Sequence, residues 1–289
     1  MYIRWIETLI IKLFCIFFSS TITAYVFAAE AMSSDTMPSD ATVLQNSSCI
    51  QCHEKQNNAL IRNREKNAHA TANPAVNCIS CHGQLHKDIA KKARRDETCI
   101  DCHGGKKTPV VHSYSSSKHG TLMQLEKNTY DWSQSFELAN YRTPGCGYCH
   151  MHQNNHNVST TVRHTLITGL MNNGEVEKVQ DKTRAVCQDC HSPRYITRLF
   201  ENGEAMLEIA RKKVREADAI IEQAEEIFSD AELEPARKQR QKMQHHFENV
   251  HLGVGHQSPD YQWWHGQPAL DGDLLRIKDM IGELHRMKK

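Results

Sequence analysis

From Thr197 to Phe228 the apolar residues Leu199, Met206, Ala210, Val214, Ala217, Ile221, Ala224 and Phe228 recur every three or four positions among charges. That spacing places them on one face of an α-helix. Ser229, Asp230 and Pro235 interrupt the pattern, and a second helix is expected from about Ala236 to Val250. A last short helix is expected from Asp271 to Met287. Two neighbouring helices joined by a short break predict an antiparallel hairpin. Upstream, from Cys49 to His191, neither the helical nor the strand period is sustained, so coils and short helices are expected there. The N-terminal stretch MYIRWIETLIIKLFCIFFSSTITAYVFAAE carries Arg4 and Lys12 around an apolar run ending in Val26-Phe27-Ala28. An export signal over residues 1–28, cleaved after Ala28 or Ala29, is expected. The alternative is an uncleaved membrane anchor, because Leu9 to Ala28 is about long enough to span a bilayer. Ser19, Ser20, Thr21 and Thr23 interrupt that run and favour cleavage and a periplasmic address. Residues 29–47, rich in Ser, Thr, Asp and Ala, read as a flexible lead-in.

Composition changes this picture in two ways. Aromatic residues make up only 7% of the chain, so the region over residues 48–196 has little side-chain material for a core of its own. The formal charge of +1, without any basic tract carrying interleaved aromatics, gives no footprint for nucleic acid. The cysteines supply what is missing. Ten of eleven fall into five copies of Cys-x-x-Cys-His: Cys49, Cys52 and His53; Cys78, Cys81 and His82; Cys99, Cys102 and His103; Cys146, Cys149 and His150; Cys187, Cys190 and His191. Two thiols so spaced reach the two vinyl groups of one porphyrin, and the next residue gives iron a proximal imidazole. Zinc ribbons use two Cys-x-x-Cys pairs per tetrahedral site, which leaves one pair over and gives no reason for the repeated histidine. A disulfide scaffold does not demand one repeated pentapeptide. The expectation is five covalently bound c-type haems whose flat apolar faces fill the core, with their propionates making the holoprotein acidic. Cys15 lies inside the export signal. The fold class expected is mostly α: a haem-packed multihaem cytochrome c region over 48–196, then a C-terminal helical region over 197–289. The motifs are unequally spaced, so they repeat the attachment chemistry and not a stacking unit.

Removing the five motif histidines from the eighteen present leaves ample distal ligands, so counting does not decide whether one iron keeps an open face. His69 and His119 each follow a motif histidine by sixteen residues, on segments able to fold back over a neighbouring ring. His152 and His156 follow the fourth motif, one as a ligand and the other as a supporting group. His112, beside Tyr114, is either a proton donor in a distal pocket or a solvated loop histidine. His245, His246, His251, His256 and His265 are too dense for all to be ligands.

Four segments carry a resemblance: CHMHQNNHN after the fourth motif, CHSPRY after the fifth, YSSSKHG at Tyr114 to Gly120, and GHQSPDYQWWHG at Gly255 to Gly266. Together they resemble the hydroxylamine oxidoreductase family of multihaem cytochromes over most of the chain from Cys49 onward. The resemblance implies a mostly helical, trimeric fold in which one haem acts on hydroxylamine, hydrazine or nitrite and the others conduct electrons. It also implies that His119, His156 and either His256 or His265 match family ligand positions. The departures are specific. Five motifs stand where the family has eight. Pro109-Val110-Val111-His112 stands where members carry an Asp-His pair. No tyrosine lies between His245 and Gly255 to match the one that crosslinks to the active haem, and members without it are associated with reductive chemistry. The Cys-x-x-Cys-Lys motif of pentahaem nitrite reductases does not occur in the sequence. If one iron is open, the second motif, VNCISCHG with His86 nearby, is the closest match to the active segment.

The function expected is therefore periplasmic electron transfer, with redox partners such as other cytochromes or a quinone-linked oxidoreductase. The alternative is an enzyme reducing nitrite or hydroxylamine, with His112 as the candidate catalytic proton donor. A third reading makes the chain a haem subunit that docks on a larger oxidoreductase through its hairpin. An apolar stripe on that hairpin suits either packing within the chain or a homo-oligomer.

Overall fold

The computed structural model describes residues 49, 51, 53, 68–73, 75–105, 108–135, 142–158 and 173–288, all within one compact unit. The expected export signal and lead-in lie outside them. Among the described residues the regular structure is helical, with no strand. The motif-bearing half is built from short pieces: α1 (Ala68–Thr71), α2 (Cys78–His82), α3 (Ile89–Arg94), α4 (Asp96–Ile100), α5 (Pro109–Ser115), α6 (Lys118–Glu126) and α7 (Cys146–His150). Five longer or terminal elements follow: α8 (Asn173–Gln188), α9 (Pro193–Glu225), α10 (Asp230–Gly255), α11 (Pro259–His265) and α12 (Gln267–Met287).

Local side chains close the starts of two of the short helices. At α2 a capping box joins Asn77 and Ser80: the Ser80 N–H donates to Asn77 Oδ1 at 3.2 Å and the Asn77 N–H donates to Ser80 Oγ at 3.3 Å. Ser117 Oγ accepts from the Gly120 N–H at 3.1 Å and opens α6. Gly83 and Gly104, directly after His82 and His103, have φ of 79° and 91°. That left-handed backbone turns the chain away beneath each motif histidine, and a side chain would resist it.

The C-terminal half is a three-helix bundle. The predicted stripe on α9 supplies Ala210, Ala217, Ile221 and Ala224, which pack with Leu233, Ala236, Met243 and Val250 of α10. The hairpin is thus present, and α12 lies against both its arms through Leu270, Leu274, Ile277 and Ile281. Burying each of the large aliphatic chains stabilises the bundle by about 1.5–3 kcal/mol. Three boundaries depart from the sequence reading. Helix α9 starts at Pro193, not Thr197: Ser192 caps it, proline suits the first turn, and Ile196 is 1% exposed. Pro235 does not break α10. The helix starts at Asp230, secured by a Ser229–Glu232 capping box and by fully buried Leu233 and Ala236, so packing outweighs the one backbone bond proline lacks. The last helix is not short: it begins at Gln267, whose side chain donates to the Met206 carbonyl at 2.8 Å and ties its start to α9. Helices α8 and α11 were not foreseen. Val179 and Val186 of α8 are buried, and Arg184 lies 4.1 Å over the Phe200 ring of α9.

Candidate functional site

A helical turn brings residues three and four apart to one face, so Cys-x-x-Cys-His folded as a turn presents two thiols and an imidazole together. The second and fourth motifs form α2 and α7 outright. In the third and fifth, the His103 and His191 N–H groups return to the carbonyls of Cys99 and Cys187 at 3.0 and 2.9 Å. The described residues of the first motif, Cys49, Gln51 and His53, are helical, and Cys52 lies outside the description. Cys81, Cys99, Cys102, Cys146, Cys187 and Cys190 form no disulfide, against the scaffold alternative.

Successive motifs are neighbours in space. Burial and then the Cys99 and Cys102 sulfurs raise the Cys81 thiol. Cys99 and Cys146 share a hydrogen bond between their thiols. Burial and then Cys187 push Cys149 up to about 12. His53 acts electrostatically on His82. Each motif thus lies beside the next one along the chain.

Three motif histidines face a second histidine at one common spacing. His103 lies opposite His69, His82 opposite His156, and His191 opposite His119, each with ring centroids 6.0 Å apart. Two metal–nitrogen bonds of about 2 Å end to end, plus the ring half-widths, give about 6 Å for imidazoles on opposite faces of one metal. Covalent haem fits this donor set: the thiol pair of a motif, the imidazole that follows it, and a second imidazole facing that one at the spacing one metal requires.

Hydrogen bonds sharpen the fit by fixing tautomers. A carbonyl can only accept, so the contacts from Nδ1 of His82 to Ile89 O (3.2 Å), His150 to Val158 O (3.4 Å) and His156 to Asn154 O (3.0 Å) place the proton on Nδ1. With the proton on Nδ1, Nε2 is the nitrogen that would ligate iron. His256 reaches the same state indirectly. Ser113 spends its hydroxyl proton on the Val110 carbonyl at 2.9 Å, so its oxygen accepts from His256 Nδ1–H at 2.7 Å. Burial, then His150, pushes His256 down to about 4. Burial, then the facing partner histidine, likewise lowers His69, His82 and His119, and burial lowers His150, which keeps these imidazoles neutral as ligation requires.

Several expected residues fall elsewhere. The second motif, the one the sequence points to should any iron be open, has His156 across from it, because the 3-10 turn at His152–Asn154 carries the chain back over α2. His152 is turned the other way, with Nε2–H donating to Asp189 Oδ2 at 2.7 Å. His265, the alternative to His256, lies 5.0 Å from the His112 ring and 4.8 Å from Tyr261, and His112 is 5.3 Å from Tyr261. At 5.0 Å and 63° the His112 and His265 rings are too close to sit on opposite faces of one iron. Sequence reasoning missed Ser113, whose only signal is its place next to His112, and Asp96. Asp96 is 6% exposed and its Oδ1 accepts from the Cys146 N–H at 2.7 Å, joining α4, the helix that carries Cys99 of the third motif, to the start of the fourth. Gly145 makes room for it: a Cβ there would stand 2.3 Å from Asp96 Oδ1.

Comparisons with known proteins bear on the family and the fold. The family model described as seven times multi-haem cytochrome CxxCH matches residues 66–241, which hold the second to fifth motifs. A probable nitrite reductase-hydroxylamine oxidoreductase fusion protein of Kuenenia stuttgartiensis is 24% identical over 74% of this chain, and the match spans 37% of that relative's length. Among solved structures, the reducing HAO-like protein complex of Kuenenia stuttgartiensis matches at a TM-score of 0.53 and 15% identity, covering 84% of this chain and 86% of that one. A hypothetical multihaem protein matches at 0.54 and 13%, covering 74% and 59%. At these identities the structural likeness is one of fold.

Proposed function

The chain belongs to the multihaem cytochrome CxxCH family, and on that premise we propose that it is a periplasmic five-haem c-type cytochrome that passes single electrons between redox proteins. The observation that carries this reading is the common 6.0 Å spacing of His69–His103, His82–His156 and His119–His191. At the second, third and fifth motifs an iron held between the two imidazoles would have no face left for a substrate, and such sites suit electron transfer.

Bound haem supplies reversible one-electron chemistry at potentials set by ligands, burial and nearby charge. The residues do the rest. The five cysteine pairs anchor the porphyrins. His53, His82, His103, His150 and His191 would each hold the haem of their own motif, and His69, His156 and His119 would supply a second imidazole at the third, second and fifth. His256, oriented by Ser113, is assigned to the fourth. The neighbouring motifs support a continuous electron path from first to fifth. The partners proposed are other cytochromes or a quinone-linked oxidoreductase, and the long bundle is the surface proposed for self-association.

The test is carbon monoxide added to the reduced holoprotein, with haem counted by intact mass. Five haems and an unchanged Soret band are expected. Stoichiometric binding by the wild type would overturn the closed-site reading.

A second reading is favoured by the His112, Tyr261 and His265 cluster, three titratable side chains that no motif uses, and by the activities in the relative's name. In it His112 delivers protons during reduction of nitrite or hydroxylamine. Loss of such turnover in His112→Ala with all haems retained supports it; absence of turnover in the wild type removes it.

A further inference from the structure

The two residues between the cysteines of an attachment motif ride on the same helical turn as both thiols. In the fourth motif the second of these is Tyr148, and in the fifth it is Asp189. The two meet: Tyr148 Oη donates to Asp189 Oδ2 at 2.9 Å. His152, just past the fourth motif, donates from Nε2 to the same oxygen at 2.7 Å, with its ring centroid 6.2 Å from that of Tyr148. Helix α7 is held at its start as well, where the Cys146 N–H donates to Asp96.

We propose that Tyr148, Asp189 and His152 form a clamp between the fourth and fifth attachment motifs, with Asp189 as a positioning residue that holds the two haems at fixed separation and lowers both reduction potentials. This rests on the five-haem reading above. The mechanical half follows from connectivity: Asp189 is one residue from Cys190 and Tyr148 one residue from Cys149, so the link joins the two thioether anchors through very few bonds. A link between surface loops would absorb a shift that this one transmits. The electrostatic half follows from sign. A carboxylate stabilises the ferric state, which carries one more positive charge than the ferrous state, and so opposes reduction. Asp189 adjoins the attachment cysteines of both motifs and acts on the Cys149 and Cys187 sulfurs. Its charge therefore bears on two haems at once.

The test is a spectroelectrochemical titration of the holoprotein, wild type against Asp189→Asn, with haem content confirmed by intact mass. Asparagine keeps the size and an acceptor for Tyr148 while removing the charge. Two of the five midpoints are expected to rise by about tenfold in the reduction equilibrium, about 59 mV for one electron, with three unmoved. A change of less than about twofold at every haem overturns the proposal, as does an equal shift at all five, because a merely structural role predicts one or the other. If Asp189→Asn fails to mature with its haems, Tyr148→Phe decides. It removes one donor that spreads the carboxylate charge and is expected to lower the same two midpoints; unmoved midpoints there overturn the clamp. A wild type with fewer than five haems would instead fail the functional reading, a result separate from any variant.

Discussion

Replacing Asp273 with alanine should destabilise the bundle that delivers His256 to the fourth motif. Asp273 sits on α12 at 1% exposure and accepts from Gln239 Nε2 at 2.7 Å and His246 Nδ1 at 2.5 Å, both on α10. Arg276 adds a bond at 3.3 Å, but its side chain is 64% exposed, so its share is at most about 1 kcal/mol. Removing the carboxylate strands the Gln239 amide, itself 7% exposed, at about 1–3 kcal/mol, and removes a charge-assisted bond to His246. The sum is about 3–5 kcal/mol, the cost of breaking a buried polar pair from one side, which for a chain of this size lowers Tm by about 6–20 °C. Thermal unfolding followed by far-ultraviolet circular dichroism on the mature protein measures it. Replacing Gln239, His246 and Asp273 together by leucine should cost much less than Asp273→Ala, because no buried group is then stranded. Melting of Asp273→Ala within about 2 °C of wild type would refute the reasoning.

Other expectations follow from single contacts. Ser113→Ala removes the acceptor that fixes the His256 tautomer, so added imidazole should displace the sixth ligand of one haem about tenfold more readily, read in the visible spectrum, with haem content unchanged. His156→Ala should open one iron per molecule to carbon monoxide, whereas His86→Ala should open none; the reverse result would contradict the His82–His156 pairing. Gly120→Ala, normally stabilising within a helix by about 0.5–1 kcal/mol, should here destabilise, because a Cβ would stand 2.1 Å from the Tyr114 carbonyl oxygen. Thermal melting decides that sign.

The helical character of the chain was legible because the α9 stripe and the motif chemistry each depend on local spacing. Ala210, Ala217, Ile221 and Ala224 lie buried where the periodicity put them. Boundaries were less legible, since Pro235 is tolerated by tertiary packing that a local rule does not register. The attachment cysteines could be read because both thiols and the histidine must share one turn. The partner of each proximal histidine could not, because it comes from a different segment: His69 precedes the third motif by thirty residues, and His156 lies seventy-four beyond His82. The Tyr148–Asp189 link was hidden for the same reason, since each residue occupies a variable slot of its motif and only the fold brings them together. Spacing alone left His152 and His156 open and the family resemblance pointed to His156; in the structure they differ in the acceptor each meets, a carboxylate on Nε2 for His152 and a carbonyl on Nδ1 for His156.

The reading that the haems serve electron transfer, three of them between paired imidazoles, is put to the test by low-temperature electron paramagnetic resonance of the oxidised holoprotein, with nitrite and hydroxylamine added to parallel samples. Only low-spin signals, unchanged by either compound, are expected. A high-spin signal that shifts with nitrite or hydroxylamine would contradict it and place substrate chemistry at one haem.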